Sequence, residues 1–315
     1  MNAQVNAVPE SGPEAVAIAT VGNATRPFYW SVRRELWEHR ALFIAPLVPA
    51  GIVLLFVLLG AFNLGRGVHL SSPATPGQYS GLLAGMLGTT AMLVAVVATL
   101  TAFFYCLDAL YGERRDRSIL FWKSLPVSDL TAVLSKVFIP AVVVPVIVFA
   151  VVIATSLVIL LVATAVLLVK GTSPVEVLSG VPLFQMTFGL LYVLAGSVLW
   201  YAPVYGWLLL VSAWARRSTF LWAVLPPLAV CLVEKLAFDT THFWLMLRDR
   251  LGGVARALMV RSADSGAGSV HFSTQLRDHF DLTTFFASPA LWIGLVVAAG
   301  FIAAAVWMRR YREPL

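Results

Sequence analysis

Six long apolar stretches alternate with polar segments along the chain. A helix of about 20 residues, rising 1.5 Å per residue, crosses a hydrocarbon core of about 30 Å. Each stretch is therefore predicted to be a transmembrane helix, and the predicted fold class is an all-α polytopic membrane protein. The six predicted spans are residues 41–62, 81–108, 137–169, 187–213, 218–237 and 282–308.

Two of these stretches depart from a simple span. The third is longer than a bilayer requires, so its helix is expected to tilt or to kink at Pro140 and Pro145. The fifth contains the pair Pro226 and Pro227 and becomes charged near its end. Because proline lacks a backbone N–H, this pair predicts a broken fifth helix.

Residues 27–40 are predicted to form an interfacial elbow helix after a flexible tail, residues 1–26. Phe28, Val32 and Leu36 repeat at four-residue spacing and form an apolar stripe. The opposite, polar side is predicted to carry Ser31, Arg34, Glu35 and Glu38. Tryptophans and arginines on such a helix favour the membrane–water interface. The alternative is a helix that only extends the first span into water.

The longest hydrophilic segment, residues 238–281, separates the fifth and sixth spans. Its apolar side chains recur at helical spacing: Phe243, Leu247, Leu251, Val254 and Leu258. This spacing predicts amphipathic helices that lie on the outer membrane face or dip into it.

The connector between the second and third spans, residues 111–136, combines charge with an apolar cluster at residues 119–122. Leu125 precedes a proline and is expected to end a first helix. Ser128 is expected to cap a second helix that continues into the third span. We interpret the connector as a coupling segment that a partner protein grips. The alternatives are a solvated basic loop that only fixes topology and, for part of the cluster, contact with the membrane surface.

Composition and charge support the membrane interpretation. The chain is 59% hydrophobic and 12% charged, whereas soluble domains are about 25% charged. Most of its 22 Lys and Arg residues lie in the segments that share a side with the two termini. The positive-inside rule therefore predicts that both termini and the connector are cytoplasmic. Orientation explains the net charge of +6, so a nucleic-acid partner is not expected.

The sequence lacks the motifs of an energy-converting enzyme. It has no Gly-Lys pair and hence no Walker A loop for a nucleotide phosphate. Zinc-binding HExxH, paired CxxC and GxSxG motifs are also missing. The middles of the spans carry no ionisable side chain of the kind that ion-coupled transporters use. If the chain performs transport work, we expect the energy to come from another subunit.

The connector has a charged Glu/Arg segment, an apolar helix, the residues SLPVSD at 124–129 and then Lys136. With the elbow helix, six spans and long outer segment, it resembles permease subunits of the ABC-2 superfamily, the type V fold of ABC exporters. The resemblance covers residues 27–315. It implies a second permease copy, expected as a homodimer, and two copies of a separate ABC ATPase chain. That partner would bind ATP and Mg²⁺, and this chain no cofactor.

The resemblance also implies roles for particular residues. The coupling helix would contact the ATPase through Glu113, Arg114, Arg115, Asp116, Ser118, Ile119, Leu120, Phe121, Trp122, Lys123 and Leu125. The elbow helix would present Trp30, Arg33, Arg34 and Trp37. Outer re-entrant helices would provide the gate candidates Glu234, Lys235, Phe243 and Trp244.

The expected function is therefore that of a permease in the bacterial inner membrane. Two copies would export an amphipathic or hydrophobic cargo, such as a peptide antibiotic, drug or lipid, along the second and fifth spans. Membrane lipid is the expected surrounding partner. The alternatives are a non-transporting scaffold or sensor that uses the same ATPase contact, and an intramembrane enzyme.

Overall fold

The computed structural model describes residues 27–65, 75–116, 128–258 and 282–311, and these residues form helices without a strand. Six helical segments are long and apolar enough to cross a membrane, as the sequence predicts, so the chain is a multi-pass membrane protein. They are Ala41–Phe62, Pro76–Arg115, Asp129–Val169, Pro174–Trp214, Thr219–Phe238 and Pro289–Tyr311.

We number the helices in chain order. The first half comprises α1 (Pro27–Glu38), α2 (Ala41–Gly65), α3 (Pro76–Asp108), α4 (Tyr111–Arg115), α5 (Asp129–Phe138) and α6 (Val144–Val169). The second half comprises α7 (Pro174–Ser179), α8 (Leu183–Trp214), α9 (Thr219–Phe238), α10 (His242–Leu258), α11 (Leu282–Ala287) and α12 (Pro289–Tyr311).

Helix α8 is the centre of the bundle. It packs most extensively on α12 and also contacts α3, α6, α9 and α10, while α2 lies against α3 and α6. The α8–α12 contact is closest at Gly206, where an added Cβ atom would lie 3.2 Å from the carbonyl oxygen of Ala298 and would push the two helices slightly apart. Small residues at such crossings let helix backbones approach within a membrane.

The third span is a continuous rod with a local change of helix type. Helices α5 and α6 are joined by a π-helical turn, Ile139–Val143, which contains Pro140. A π turn accommodates the missing N–H of a proline without ending the helix. The predicted cap is present as well, since the backbone N–H of Thr131 donates to the Ser128 side chain.

The predicted break in the fifth span is wrong. Helix α9 runs without interruption through Pro226 and Pro227. Pro227 cannot donate to the carbonyl of Ala223, four residues earlier. The indole N–H of Trp207 on α8 donates to that carbonyl instead, at 3.0 Å. A neighbouring helix thus satisfies the backbone group that the proline leaves open.

Several predicted boundaries also move. The second span begins at Pro76, where Thr75 forms a capping box with Gln78. The fourth begins at residue 183 instead of 187. The sixth is not one helix over 282–308, because the chain breaks at Ser288 and α12 starts at Pro289, a residue suited to the first turn of a helix.

We expect Trp207→Phe to lower the free energy of unfolding by about 1 kcal/mol, because it leaves the Ala223 carbonyl without its indole donor. Adding Pro227→Ala should remove most of this cost, since residue 227 then supplies an N–H. Trp307→Phe, at an exposed tryptophan of α12, is the matched control. Thermal unfolding in detergent compares these variants with the wild type and with Pro227→Ala alone, and equal effects of Trp207→Phe in the presence and absence of Pro227 would contradict the assignment.

Candidate functional site

A buried lysine lies where the connector enters the third span. Lys136, in the last turn of α5, is 2% exposed. Its Nζ atom donates to Oε1 of Glu35 at 2.6 Å and lies 3.2 Å from Oε1 of Glu113. Burying an ammonium group costs several kcal/mol unless carboxylates compensate for the lost water. The two glutamates provide that compensation from two other helices, α1 and α4.

A second cation completes the site from the end of the chain. Arg309, in the last turn of α12, donates from Nη1 to Oε2 of Glu113 at 2.7 Å. Its Nε donates to Asp129 at 3.2 Å, and Arg34 lies 3.8 Å from Glu113. We call this set the ionic cluster: Arg34, Glu35, Glu113, Asp129, Lys136 and Arg309. Its three cations balance its three carboxylates, so the burial leaves no net charge.

The ionic cluster ties together four separate parts of the chain. Helix α1, the end of the second span, the start of the third and the end of the sixth meet at one face of the bundle. Six spans place helix α1 and the end of α12 on the same side of the membrane, and in the cluster both of them contact Glu113.

The short helix α4 is also fastened to the end of the fourth span. The Ser212 hydroxyl, fully buried on α8, accepts hydrogen bonds from the backbone N–H groups of Leu110 and Tyr111 at 3.0 and 2.9 Å. The guanidinium of Arg114 donates to the carbonyl of Ala213, in the last turn of α8, and to that of Ala215, just after the helix ends. These bonds satisfy backbone groups at a helix start and a helix end.

Protonation at the cluster follows from these contacts. Burial disfavours the charged form of Glu35, but the Lys136 ammonium and the hydrogen bonds from Lys136 and Tyr105 outweigh it, so the pKa of Glu35 is lowered. The Asp108 carboxylate, 3.9 Å from Nε2 of His39, raises the pKa of His39 despite partial burial, and Glu35 adds to this effect. Glu35 is therefore held as a carboxylate and His39 is favoured as a cation.

The structure separates the predicted coupling residues into groups. Glu113 and Arg114 are buried and bonded within the chain, so their side chains face the bundle. Arg115 and Asp116 are exposed and pair with each other at 3.1 Å. The remaining predicted coupling residues lie outside the described residues: Ser118, Ile119, Leu120, Phe121, Trp122, Lys123 and Leu125.

Helix α1 presents a different pair of faces from those predicted. Trp30 and Trp37 are exposed, and the Arg33 guanidinium lies 5.2 and 5.1 Å from their ring centroids. Glu35 is not on the outer polar side, as its position in the helix suggested, but is buried beside Val32 and Leu36. A partner 101 residues away, Lys136, makes this burial favourable. Arg34 lies between the exposed and buried faces of α1, because it forms a 2.6 Å ion pair with Glu38 and also lies near Glu113.

The outer gate candidates have structural contacts at the opposite end of the bundle. Glu234 accepts hydrogen bonds from the backbone N–H groups of His242 and Phe243 and so caps the first turn of α10. Lys235 pairs with Asp239, and Trp244 is about half exposed.

Further along α10, its last described side chains are tied to α8. The Arg250 guanidinium carbon lies 4.4 Å from the centroid of the Trp200 ring. The carbonyls of Arg250 and Leu251 accept hydrogen bonds from Trp200 and Tyr201, each at 3.1 Å.

Sequence reasoning did not identify the ionic cluster as a site. It placed Lys136 in the connector and Arg309 at the chain end, but it assigned Glu35 to the outer side and missed Ser212. One signal was present, because Glu35 follows Val32 by three residues and Phe28 by seven, which places it on the same helical face as the apolar stripe. A charge inside such a stripe indicates a buried partner.

Comparisons with protein-family models, with curated proteins and with solved structures found no match. Among the described residues, no three His, Cys, Asp or Glu side chains are grouped so that they could hold a metal ion. Every charged group in the cluster pairs with a group from another helix of the same chain, so the cluster holds the ends of these helices together.

We expect Lys136→Met to destabilise the protein by about 3–5 kcal/mol, because it leaves two buried carboxylates without their shared cation. Glu38→Gln, which removes the partly exposed partner of Arg34, should cost at most about 1 kcal/mol. Unfolding in detergent, followed by tryptophan fluorescence, compares the two. Lys136→Met with Glu35→Gln should cost less than the sum of the single changes. Similar losses for Lys136→Met and Glu38→Gln would show that the cluster does not hold the bundle.

A pH dependence follows from His39. Because its pKa is raised in the fold, His39 stabilises the protein fully below its ordinary pKa of 6.5 and loses this contribution as the pH rises through the raised value. The difference in melting temperature between the wild type and His39→Gln should therefore shrink as the pH increases. Asp108→Asn should flatten this trend. A difference that grows with pH would refute the assignment.

Proposed function

We propose that the chain is the permease subunit of an ATP-driven ABC exporter and that the ionic cluster fastens its coupling segment to the membrane spans. The observation that supports this most directly is the continuity of the third span. Lys136 lies in the cluster, and the same rod continues through the π turn to Val169. A displacement of the connector would therefore act on the bundle through a helix that is locked to three other elements.

The proposal gives the connector residues distinct tasks. Glu113 and Arg114 position the segment from inside the bundle, while Arg115 and Asp116 are exposed and offered to a partner. The predicted contact residues 118–125 would form the remainder of the docking surface. The ATPase itself would be a separate chain that binds ATP and Mg²⁺, because this sequence has no Walker A loop.

The exposed fifth span is the proposed site of a second copy. Only Ala223 of α9 is buried, and large apolar side chains cover the rest of this helix. A second copy would cover part of this surface and enclose a path for an amphipathic or hydrophobic cargo. In this arrangement the cluster face lies in the cytoplasm of a bacterial cell, and the exposed Trp30, Arg33 and Trp37 lie at the inner-membrane surface.

Affinity purification of the tagged full-length chain from its native membranes should recover a protein that contains a Walker A loop. Replacing residues 119–122 with alanine should reduce recovery of that protein about tenfold, because apolar anchors dominate such interfaces. Alanines at Phe184 and Phe188, exposed residues at the start of α8, are the control and should change nothing.

Two outcomes would contradict this proposal, and they affect different parts of it. If no protein with a Walker A loop is recovered from the wild type, the chain is not an ABC permease. If such a protein is recovered and the alanine variant retains all of it, together with full ATP turnover, the coupling segment has been placed wrongly.

A further inference from the structure

A cavity opens between the first three spans, far from the ionic cluster. It has a volume of about 310 Å³ and lies between α2, α3 and α6. Its walls are mainly hydrocarbon, from residues such as Phe56, Leu83, Met86 and Ile159. The volume falls within the range of ligand pockets, about 300–1,000 Å³. Phe56 is 69% exposed and Leu82 is 65% exposed, so the opening of the cavity faces the lipid side of the bundle.

One end of this cavity is cationic. Lys170, the residue that ends α6, lines the cavity together with Tyr79 of α3. Its ammonium nitrogen lies 5.8 Å from the centroid of the Tyr79 ring. No carboxylate in the described part of the chain forms an ion pair with Lys170. An apolar space that ends at a cation is complementary to an amphiphile with a negative head and a hydrocarbon tail.

The position of the cavity along the bundle identifies the source of such a molecule. Lys136 and Lys170 lie on the same rod, about 50 Å apart at 1.5 Å per residue. Because the hydrocarbon core is about 30 Å thick, the two lysines reach opposite interfaces. Lys170 therefore lies at headgroup level, and the apolar walls extend from it toward the middle of the bilayer.

We propose that this cavity binds one anionic membrane phospholipid from the leaflet opposite the ionic cluster. An acyl chain occupies the space between α2, α3 and α6, and the headgroup phosphate pairs with Lys170 beside Tyr79. This assignment depends on the spans and the cavity alone and does not require the proposed ATPase. The cavity shares the second span, α3, with the proposed cargo path, but residues of the fifth span, α9, do not line it.

A glycine in the cavity wall allows a direct test. A Cβ atom at Gly60 would meet nothing within 4 Å, and Gly60 lines the cavity, so we expect the side chain of Gly60→Leu to extend into the open space. Gly51, on the same helix, is equally unobstructed but does not line the cavity. Gly51→Leu is therefore a matched control for the change in helix propensity and surface.

The experiment uses the delipidated full-length chain in detergent and measures lipid adducts by native mass spectrometry. The probes are phosphatidylglycerol and phosphatidylethanolamine with identical acyl chains. The wild type should prefer phosphatidylglycerol, and Gly60→Leu should weaken binding of both lipids about tenfold. Lys170→Gln should reduce the preference for phosphatidylglycerol about fivefold. Gly51→Leu and Lys235→Gln, which changes a second lysine near the same membrane face, should match the wild type.

Each alternative result overturns a defined part of the proposal. Equal binding by Gly60→Leu and Gly51→Leu means that the acyl chain does not occupy the cavity. An unchanged lipid preference in Lys170→Gln means that the headgroup binds elsewhere, and equal affinities in the wild type mean that the site does not select anionic lipid. If Gly60→Leu is not monodisperse, Ala61→Leu fills the same cavity. The assay contains no ATPase, so its outcome is independent of the proposed export function.

Discussion

The burial of the Lys136 ammonium is the constraint on which the arrangement of this protein depends. A cation removed from water is tolerated only where carboxylates surround it. Glu35 and Glu113 must therefore lie beside it, which fixes helix α1 and the short helix α4 against the start of the third span. Arg309 then balances the second carboxylate and brings the end of the sixth span to the same place. The ions add little net stability compared with an apolar core, but they pair the ends of these segments with one another.

The two faces of the bundle are built on different principles. At the cluster face, the helix ends are held by the ion pairs of the cluster and by the hydrogen bonds of Ser212 and Arg114 to backbone groups. At the opposite face, the bundle leaves a cavity open between α2, α3 and α6, with a cation at its end. A partner protein that displaces the connector would need the bonded arrangement of the cluster face. A lipid that enters from the bilayer would need the open cavity. Our proposals assign one role to each face and do not depend on each other.

The sequence was sufficient to predict the six spans because the bilayer imposes length and apolarity directly on the chain. It also predicted the Ser128 cap, which depends on residues three positions apart. It failed at Pro226 and Pro227, because the compensating Trp207 belongs to another helix. It failed at Glu35 for the same reason, since the partners Tyr105 and Lys136 are 70 and 101 residues away. Local patterns do not contain such pairings, and the apolar part of the connector, residues 119–122, remains a prediction.

The π turn at Ile139–Val143 holds one more residue than an α-helical turn, and this affects every residue after it. In an α-helix each residue turns by about 100°. Counted as an ideal α-helix, the buried residues Val144, Val148 and Val152 would be rotated from Lys136 by about 80° to 160°. The extra residue turns them back, so that the ion and the apolar stripe both face the interior. The length of this turn is therefore matched to its helix type: a regular α-helix through the same residues would turn the valines away from the interior, whereas an α-helix with one residue fewer would keep both halves buried.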